Sequence, residues 1–146
     1  MIATSNQVKR FSVFLNPVIE LYAPQIRDVI RCDTTRNGTF FFAPKGPRGT
    51  FPVTLFPLQE PTTDDGLANL YAKQVLKPAS PYAIAELCRK YGEKIPVPLG
   101  SFWVTRNRFV KMLVTFTDRG LYGEAGVDEK PWPPGIWFAG VPLRQQ

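Results

Sequence analysis

Two helical segments in the middle of the chain, with strand-like segments on both sides, most constrain what this sequence can fold into. Residues 62–77 have Thr62 or Thr63 as a candidate N-cap and carry apolar residues at helical spacing. Residues 81–92 follow Ser80 as a cap, begin with a proline and end at a glycine. Because strands are indicated before and after this pair, the pattern predicts an α+β domain.

The flanking segments have the alternation and the β-branched or aromatic content of strands. In chain order these predicted strands cover residues 8–15, 26–33, 39–43, 50–56, 101–105, 108–117 and 135–143. Asn37-Gly38 is a strong hairpin signal, and Pro52 places its strand toward a sheet edge. Residues 118–135 are predicted to be a long loop. We therefore expect a mainly antiparallel sheet in the order ββββ-α-α-ββ-β, with the helices packed on one face.

Length and cysteine content set the class of protein. A chain of 146 residues suits a single domain over residues 1–146, in which residues 1–6 are a candidate for disorder. Cys32 and Cys88 are far apart and lack metal-ligand spacing, so we expect reduced core thiols in a cytoplasmic protein. No secretory signal is present, and no apolar run approaches the ~20 residues of a membrane span. No membrane partner is predicted.

The absence of histidine limits the chemistry open to the chain. It excludes Ser-His-Asp and Cys-His nucleophile arrangements, and a zinc site would need more cysteines than the two present. The carboxylates follow no metal-binding motif. The sequence therefore predicts no catalytic residue, no metal site, no cofactor and no enzyme.

Positive charge is concentrated in the strand-like parts of the chain. The net charge is +6, and residues 1–59 carry seven Lys/Arg against three Asp/Glu. Residues 101–119 carry four against one, whereas residues 60–100 balance at five against five. Such a distribution permits a polyanionic partner.

The predicted first hairpin separates an apolar face from a mixed one. Residues that oppose each other across the Asn37-Gly38 turn share a face, as do alternate residues along each strand. One face is apolar and uncharged, which predicts core. The other, extended by the strand at 8–15, carries Arg10, Phe14, Arg27, Arg31, Phe40 and Phe42.

This mixed face has the parts of a platform for single-stranded nucleic acid. Arginines contact phosphates, and exposed rings stack on bases. Lys45 and Arg48 in the following loop, and Arg106 and Arg108 at the second hairpin, would add cations. A buried alternative stays open, because residues 39–43 also suit a central strand covered on both faces. A one-residue slip in the turn would also exchange the two faces.

Parts of the first half of the chain resemble families that bind nucleic acids. Four strands, a helix and basic loops are similar to the Whirly and purine-rich-element-binding families. The runs IRCD, RNGTFFFAPK and GTFPVTLFPL resemble the stage V sporulation protein G family, with residues 80–146 left unmatched. The resemblance implies nucleic-acid binding through the same sheet and loop.

A second hypothesis is a protein-interaction module, such as a phage or mobile-element inhibitor or an assembly subunit. The chain has 15 prolines, and the rigid aromatic residues of its C-terminal part are natural interface anchors: Trp132, Trp137 and Phe138. A protein partner or self-association would use them. Single-stranded binding remains the first hypothesis, since neither predicted helix is basic along one face, as a major-groove reading helix would be.

Overall fold

The structure is a computed structural model that describes residues 7–32, 44–105, 108–127 and 130–143. Its strands are β1 (Lys9–Leu15), β2 (Arg31–Cys32), β3 (Gly49–Pro57), β4 (Leu76–Pro78), β5 (Leu99–Thr105), β6 (Arg108–Thr117), β7 (Gly120–Gly126) and β8 (Trp137–Pro142). Its helices are α1 (Ala23–Arg27), α2 (Asp64–Lys73) and α3 (Pro81–Tyr91), and α3 continues into a 3-10 turn at Gly92–Lys94. In these described residues no helix is long and apolar enough to cross a bilayer.

The eight strands form one mixed sheet in the order β1-β3-β8-β5-β6-β7-β2, with β4 paired to the second half of β8. The β5/β8 and β2/β7 pairs are parallel, and the other pairs are antiparallel. It follows that β1, β2, β5, β7 and β8 run in one direction while β3, β4 and β6 run in the other. We call the end of the sheet where β1, β5 and β8 finish its upper end.

The predicted antiparallel order is wrong because of β8, the last strand in the chain. Phe138, Ala139 and Val141 are fully buried, so β8 is apolar on both faces and needs cover on both. It lies between β3 and β5 and runs parallel to β5. At Gly140 a Cβ atom would lie 2.9 Å from the Leu76 Cδ1 atom, so a larger residue there would crowd the side chains packed between β4 and β8.

The helices lie on opposite faces of the sheet, which corrects the expectation that they share one face. Leu67 and Tyr71 of α2 pack in one buried cluster with Phe56 and Phe138. The second cluster contains α3 and alternate strand residues, and Ile26 of α1 belongs to it as well. We call the two sides of the sheet the α2 face and the α3 face.

The segment predicted as a strand at 26–33 folds differently. Residues 23–27 form α1, and of the described residues in this segment only Arg31–Cys32 are strand. Ile26 and Ile30 are both fully buried, but their spacing of four residues suits a helical turn as well as strand alternation. The four-strand arrangement that the family resemblances need is therefore absent from the described residues. Residues 1–6 and 33–43, with the Asn37-Gly38 turn, lie outside that part of the chain.

Other boundaries were predicted correctly where local signals are strong. Helix α3 begins after Ser80, whose hydroxyl accepts a hydrogen bond from the Ala83 backbone N–H at 3.1 Å. The β5–β6 pair covers the two predicted strands at 101–105 and 108–117. Two other predictions were wrong. Helix α2 ends earlier than predicted, at Lys73, and the predicted loop at 118–135 contains β7.

Candidate nucleic-acid interface

One uncovered strip of the sheet combines a cation with an aromatic ring. On β1, Val13 and Leu15 point into the core, while Arg10, Ser12 and Phe14 lie on the α2 face and are exposed. The adjacent strand β3 adds Thr50 opposite Phe14 and Pro52 opposite Ser12, both exposed. We call Arg10, Ser12, Phe14, Thr50 and Pro52 the outer strip. The alternation predicted for residues 8–15 is thus confirmed, with Arg10 and Phe14 on the outward side.

The strip is exposed because those described elements that cover the α2 face stop short of β1. Helix α2 places Tyr71 against Phe56 and Phe102, with ring centroids 5.1 and 5.3 Å away, in the middle of the sheet. Phe14, in contrast, is 52% exposed at the edge. Phe14 and Arg10 lie four residues apart on one strand face, about 13 Å along β1, so one extended single strand can touch both.

The free edge of β1 is closed at its centre by side chains from α3. The Ser12 backbone N–H donates to the Tyr91 hydroxyl at 3.2 Å, and that hydroxyl donates to the Ser12 carbonyl at 2.9 Å. The Lys90 ammonium donates to the same carbonyl at 3.2 Å. Ser12 therefore turns its backbone away from β3, and the Ser12–Pro52 pair is of the non-hydrogen-bonded kind.

Pro52 lies one strand in from the edge of the sheet, where its strand was expected to lie toward an edge. Strand β3 lies between β1 and β8, but its pairing with β8 begins only at Thr54. Because the Ser12–Pro52 pair makes no ladder bonds, the missing N–H of the proline costs the β1/β3 ladder nothing. At Pro52, β3 is thus paired on one side only, and a strand tolerates a proline at such a position.

Several predicted binding residues are not on the strip. Arg31 is exposed on β2, six strand steps from β1, or about 29 Å along the sheet. Arg27 is exposed at the end of α1, not on a strand. Phe40, Phe42 and Arg106 lie outside the described residues, and Arg108 is placed only by its backbone in β6. The single face predicted to hold Arg10, Phe14, Arg27 and Arg31 therefore does not form.

Lys45 and Arg48 bind the protein's own chain. The Lys45 ammonium pairs with the Glu20 carboxylate at 2.7 Å and also donates to the Leu21 carbonyl. The Arg48 guanidinium donates to the Asn16 carbonyl at 3.3 Å and to the Ile19 carbonyl. The hydrogen bond and charge of Lys45 lower the pKa of Glu20 below 4.5. Both cations anchor the segment 16–22 that links β1 to α1.

The aromatic residues proposed as protein anchors are mostly buried. Phe138 is fully buried, and Trp132 is only 4% exposed. Trp137 is half-buried on the α3 face, with the Lys9 ammonium 5.7 Å from its ring centroid. In this fold Trp132 and Phe138 cannot reach a partner surface.

Trp132 belongs to a buried group that sequence patterns did not indicate. Its indole N–H donates to the Asp64 carboxylate at 3.1 Å, and the Lys111 ammonium lies 5.0 Å from its ring centroid. Lys111 and Asp64 form an ion pair at 3.3 Å. We call Asp64, Lys111 and Trp132 the latch, because it fixes the segment before β8 to α2 and β6.

The sequence reasoning also missed three members of the outer strip, Ser12, Thr50 and Pro52. The signal was present for Thr50 and Pro52, because residues 50–56 alternate between polar or proline positions and apolar ones. The sequence did not indicate that β3 pairs directly with β1.

Two observations describe the metal-binding and thiol chemistry of the described side chains. Within residues 7–32, 44–105, 108–127 and 130–143, no three Cys, Asp or Glu residues come close enough to hold a metal ion. Both cysteines are free thiols, and burial raises the pKa of Cys88 to about 12, so its thiol is unreactive at neutral pH. Comparison with protein-family models, with curated proteins and with solved structures finds no match to this chain.

Proposed function

We propose that this is a small non-enzymatic nucleic-acid-binding protein that takes a single strand on the outer strip. The observation that carries the proposal is the exposed Phe14 ring on the same uncovered strand face as the exposed Arg10. Base stacking on such a ring contributes about 1–3 kcal/mol, and it needs unpaired bases. The net charge of +6 supports contact with phosphates.

The helices support single strands over duplex as the ligand. The cations at the end of α3 are engaged, since Arg89 pairs with Glu86 and Lys90 bonds to the Ser12 carbonyl. Helix α2 has one basic residue, Lys73, in its last turn. A helix that reads the major groove needs several base-contacting and phosphate-contacting side chains on one face. Contact through the sheet is the better match.

We also propose that the protein is located in the cytoplasm. Both cysteines are free thiols in the structure, as is usual for proteins of a reducing compartment.

The test is fluorescence anisotropy with labelled single-stranded DNA, single-stranded RNA and duplex DNA at low and moderate salt. We expect binding to single strands that weakens as salt rises. Phe14→Ala should lower affinity by about 5- to 100-fold through lost stacking. Arg10→Ala should lower affinity and reduce the salt slope by about one unit.

Matched controls exist for both variants. Phe116 is a phenylalanine of similar exposure, 64%, near the opposite end of the sheet, so Phe116→Ala should leave affinity unchanged. Lys9→Ala removes the same charge as Arg10→Ala from the adjacent residue on the α3 face. If both controls weaken binding as much as their partners, the ligand is held by net charge and the strip is not the site.

A further inference from the structure

The outer edge of β1, on the side away from β3, carries free backbone groups in a regular row. The Ser12–Pro52 pair makes no ladder bonds, and in an antiparallel ladder every second pair is of that kind. Arg10 and Phe14 lie two residues on either side of Ser12, so their backbone N–H and C=O groups also point away from β3. Among the residues that the structure describes, none bonds to these four groups. The β1 edge thus has two donors and two acceptors for a ligand.

The middle of the same row is occupied by side chains of α3, and one of them adds a cation. The Tyr91 hydroxyl binds both backbone groups of Ser12. The Lys90 ammonium donates to the Ser12 carbonyl at 3.2 Å, and because an ammonium has three donors it can bind a second acceptor. Donors therefore stand at Arg10, Lys90 and Phe14, at successive steps of about 7 Å along the edge.

A nucleic-acid backbone fits this row better than a peptide strand does. A peptide that adds to a sheet edge needs an unbroken row of backbone groups, and Tyr91 interrupts the row at Ser12. Phosphate oxygens, in contrast, accept hydrogen bonds from separate backbone N–H groups and from lysine side chains. The segment 7–16 contains two cations, Lys9 and Arg10, and no Asp or Glu that would repel phosphates.

The two free carbonyls of the row favour RNA over DNA. A ligand that excludes water from the β1 edge must supply donors to the Arg10 and Phe14 carbonyls, since an unsatisfied acceptor is costly. The backbone of DNA has no hydrogen-bond donor, whereas each ribose of RNA has a 2′-hydroxyl that both donates and accepts. The exposed hydroxyls of Ser12 and Thr50 on the outer strip are further partners for such a group.

On the basis of the function proposed above, we infer that the ligand is single-stranded RNA and that its ribose–phosphate backbone lies along the β1 edge. Phosphates accept hydrogen bonds from the Arg10 and Phe14 N–H groups and from the Lys90 ammonium. Ribose 2′-hydroxyls donate to the two free carbonyls. The bases then lie over the outer strip, where the Phe14 ring is 52% exposed.

The test compares oligouridine with oligodeoxyuridine of about ten nucleotides by fluorescence anisotropy, so that only the 2′-hydroxyl differs. We expect the whole chain to bind the RNA at least about fivefold more tightly, through the hydrogen bonds to the two carbonyls. A 2′-O-methyl oligouridine should bind no more tightly than the DNA, because its 2′-oxygen cannot donate. Hydrogen exchange of the Arg10 and Phe14 amide protons, followed by NMR, should slow in the RNA complex.

A pair of variants tests the position of Lys90. Lys90→Gln should lower the affinity for RNA several-fold and reduce the salt slope by about one unit, because one phosphate contact is lost. The Tyr91 hydroxyl still binds Ser12 in this variant, so β1 keeps its place. Arg89→Gln removes the same charge from the neighbouring residue, whose guanidinium pairs with Glu86, and should leave the slope unchanged. Circular dichroism checks the folding of both variants.

Failure of the RNA preference and failure of the proposed function give different results. Equal affinity for the two oligonucleotides, or tighter binding of the DNA, overturns the RNA preference but leaves the proposed function in place if Phe14→Ala weakens both complexes. Equal effects of Lys90→Gln and Arg89→Gln on the salt slope, including no effect of either, place the phosphates elsewhere and overturn the contact along the β1 edge. If neither oligonucleotide binds, or if Phe14→Ala changes nothing, both the RNA site and the proposed function are wrong.

Discussion

The latch and the outer strip both combine a cation and an aromatic ring on the α2 face, but the latch is largely buried and the strip is exposed. In the latch, Trp132 is buried at 4% exposure and Lys111 is partly buried, with a side chain 12% exposed. In the strip, Arg10 and Phe14 are exposed. The latch has a carboxylate, Asp64, that neutralises the lysine and accepts the indole N–H.

The difference shows what decides whether such a pair stabilises the fold or is open to a ligand. A lysine becomes part of the core only where an anion compensates for its lost hydration and a neighbouring element covers it. Helix α2 supplies both through Asp64 in its first turn. Because the cover ends before β1, Arg10 and Phe14 stay available.

The largest expected effect is on stability, at the latch. Trp132→Ala should lower the free energy of unfolding by about 3–5 kcal/mol, since it empties a buried site and removes the Asp64 hydrogen bond. Urea denaturation followed by circular dichroism measures the change. Phe14→Ala, at a site that is 52% exposed, should cost less than about 1 kcal/mol. Similar losses for the two variants would remove the distinction between latch and strip.

The next largest effect on the free energy of unfolding is expected when one charge of the latch is removed. Asp64→Asn keeps an acceptor for the indole N–H but leaves the Lys111 ammonium without its anion. Because both groups are partly exposed, we expect a loss of about 1–3 kcal/mol. Lys111→Met should cost less, because Asp64, with a side chain 28% exposed, can still be hydrated.

The double variant completes the test of the ion pair. Asp64→Asn combined with Lys111→Met should be more stable than the sum of the two single losses predicts, by about 0.5–2 kcal/mol. Chemical denaturation of all four proteins gives this coupling energy. Additive losses would mean that the pair contributes nothing beyond its separate contacts.

A smaller effect is expected where a cation anchors a loop. Arg48→Ala should free the segment 16–22, at a stability cost of about 1–2 kcal/mol, because two backbone carbonyls lose a charged donor. Chymotrypsin should then cleave after Leu21 or Tyr22 several-fold faster than in the wild type. Arg10→Ala removes an equal charge from the strip and should leave the cleavage rate unchanged. Faster cleavage in both variants would show a general loosening of the β1 edge.

Local sequence signals correctly predicted the elements that depend mainly on neighbouring residues. Helix α3 is fixed by its cap and its starting proline, and the inward and outward residues of β1 follow from alternation. The Ile26–Ile30 spacing fits two structures, and tertiary packing selected the helical turn. The part of the outer strip that lies on β1 could therefore be predicted from the sequence, but the part on β3 could not.

The sequence contains no comparable signal for contacts between residues that are distant in the chain. The latch joins residues 64, 111 and 132, which no short motif connects. The central position of β8 follows from its apolar residues on both faces, but its neighbours β3 and β5 are far away in the chain. The sequence favoured phosphate contacts for Lys45 and Arg48. It did not indicate the carbonyls and the carboxylate that they bind in the fold, because those groups are distant in sequence.

The smallest effect concerns the Lys45–Glu20 pair and decides whether Lys45 is structural. The Lys45 hydrogen bond and charge lower the pKa of Glu20 below 4.5 in the folded protein. The pair therefore contributes stability above pH 4.5, and this contribution is lost as the pH falls through the lowered pKa. A carboxyl NMR titration should place the Glu20 midpoint below the ordinary value of a glutamate in the wild type and higher in Lys45→Ala. The same titration with a bound single-stranded oligonucleotide should give an unchanged midpoint. A rise on binding would show that Lys45 leaves Glu20 for a phosphate, and the binding surface would then extend beyond the outer strip to the segment at 44–48.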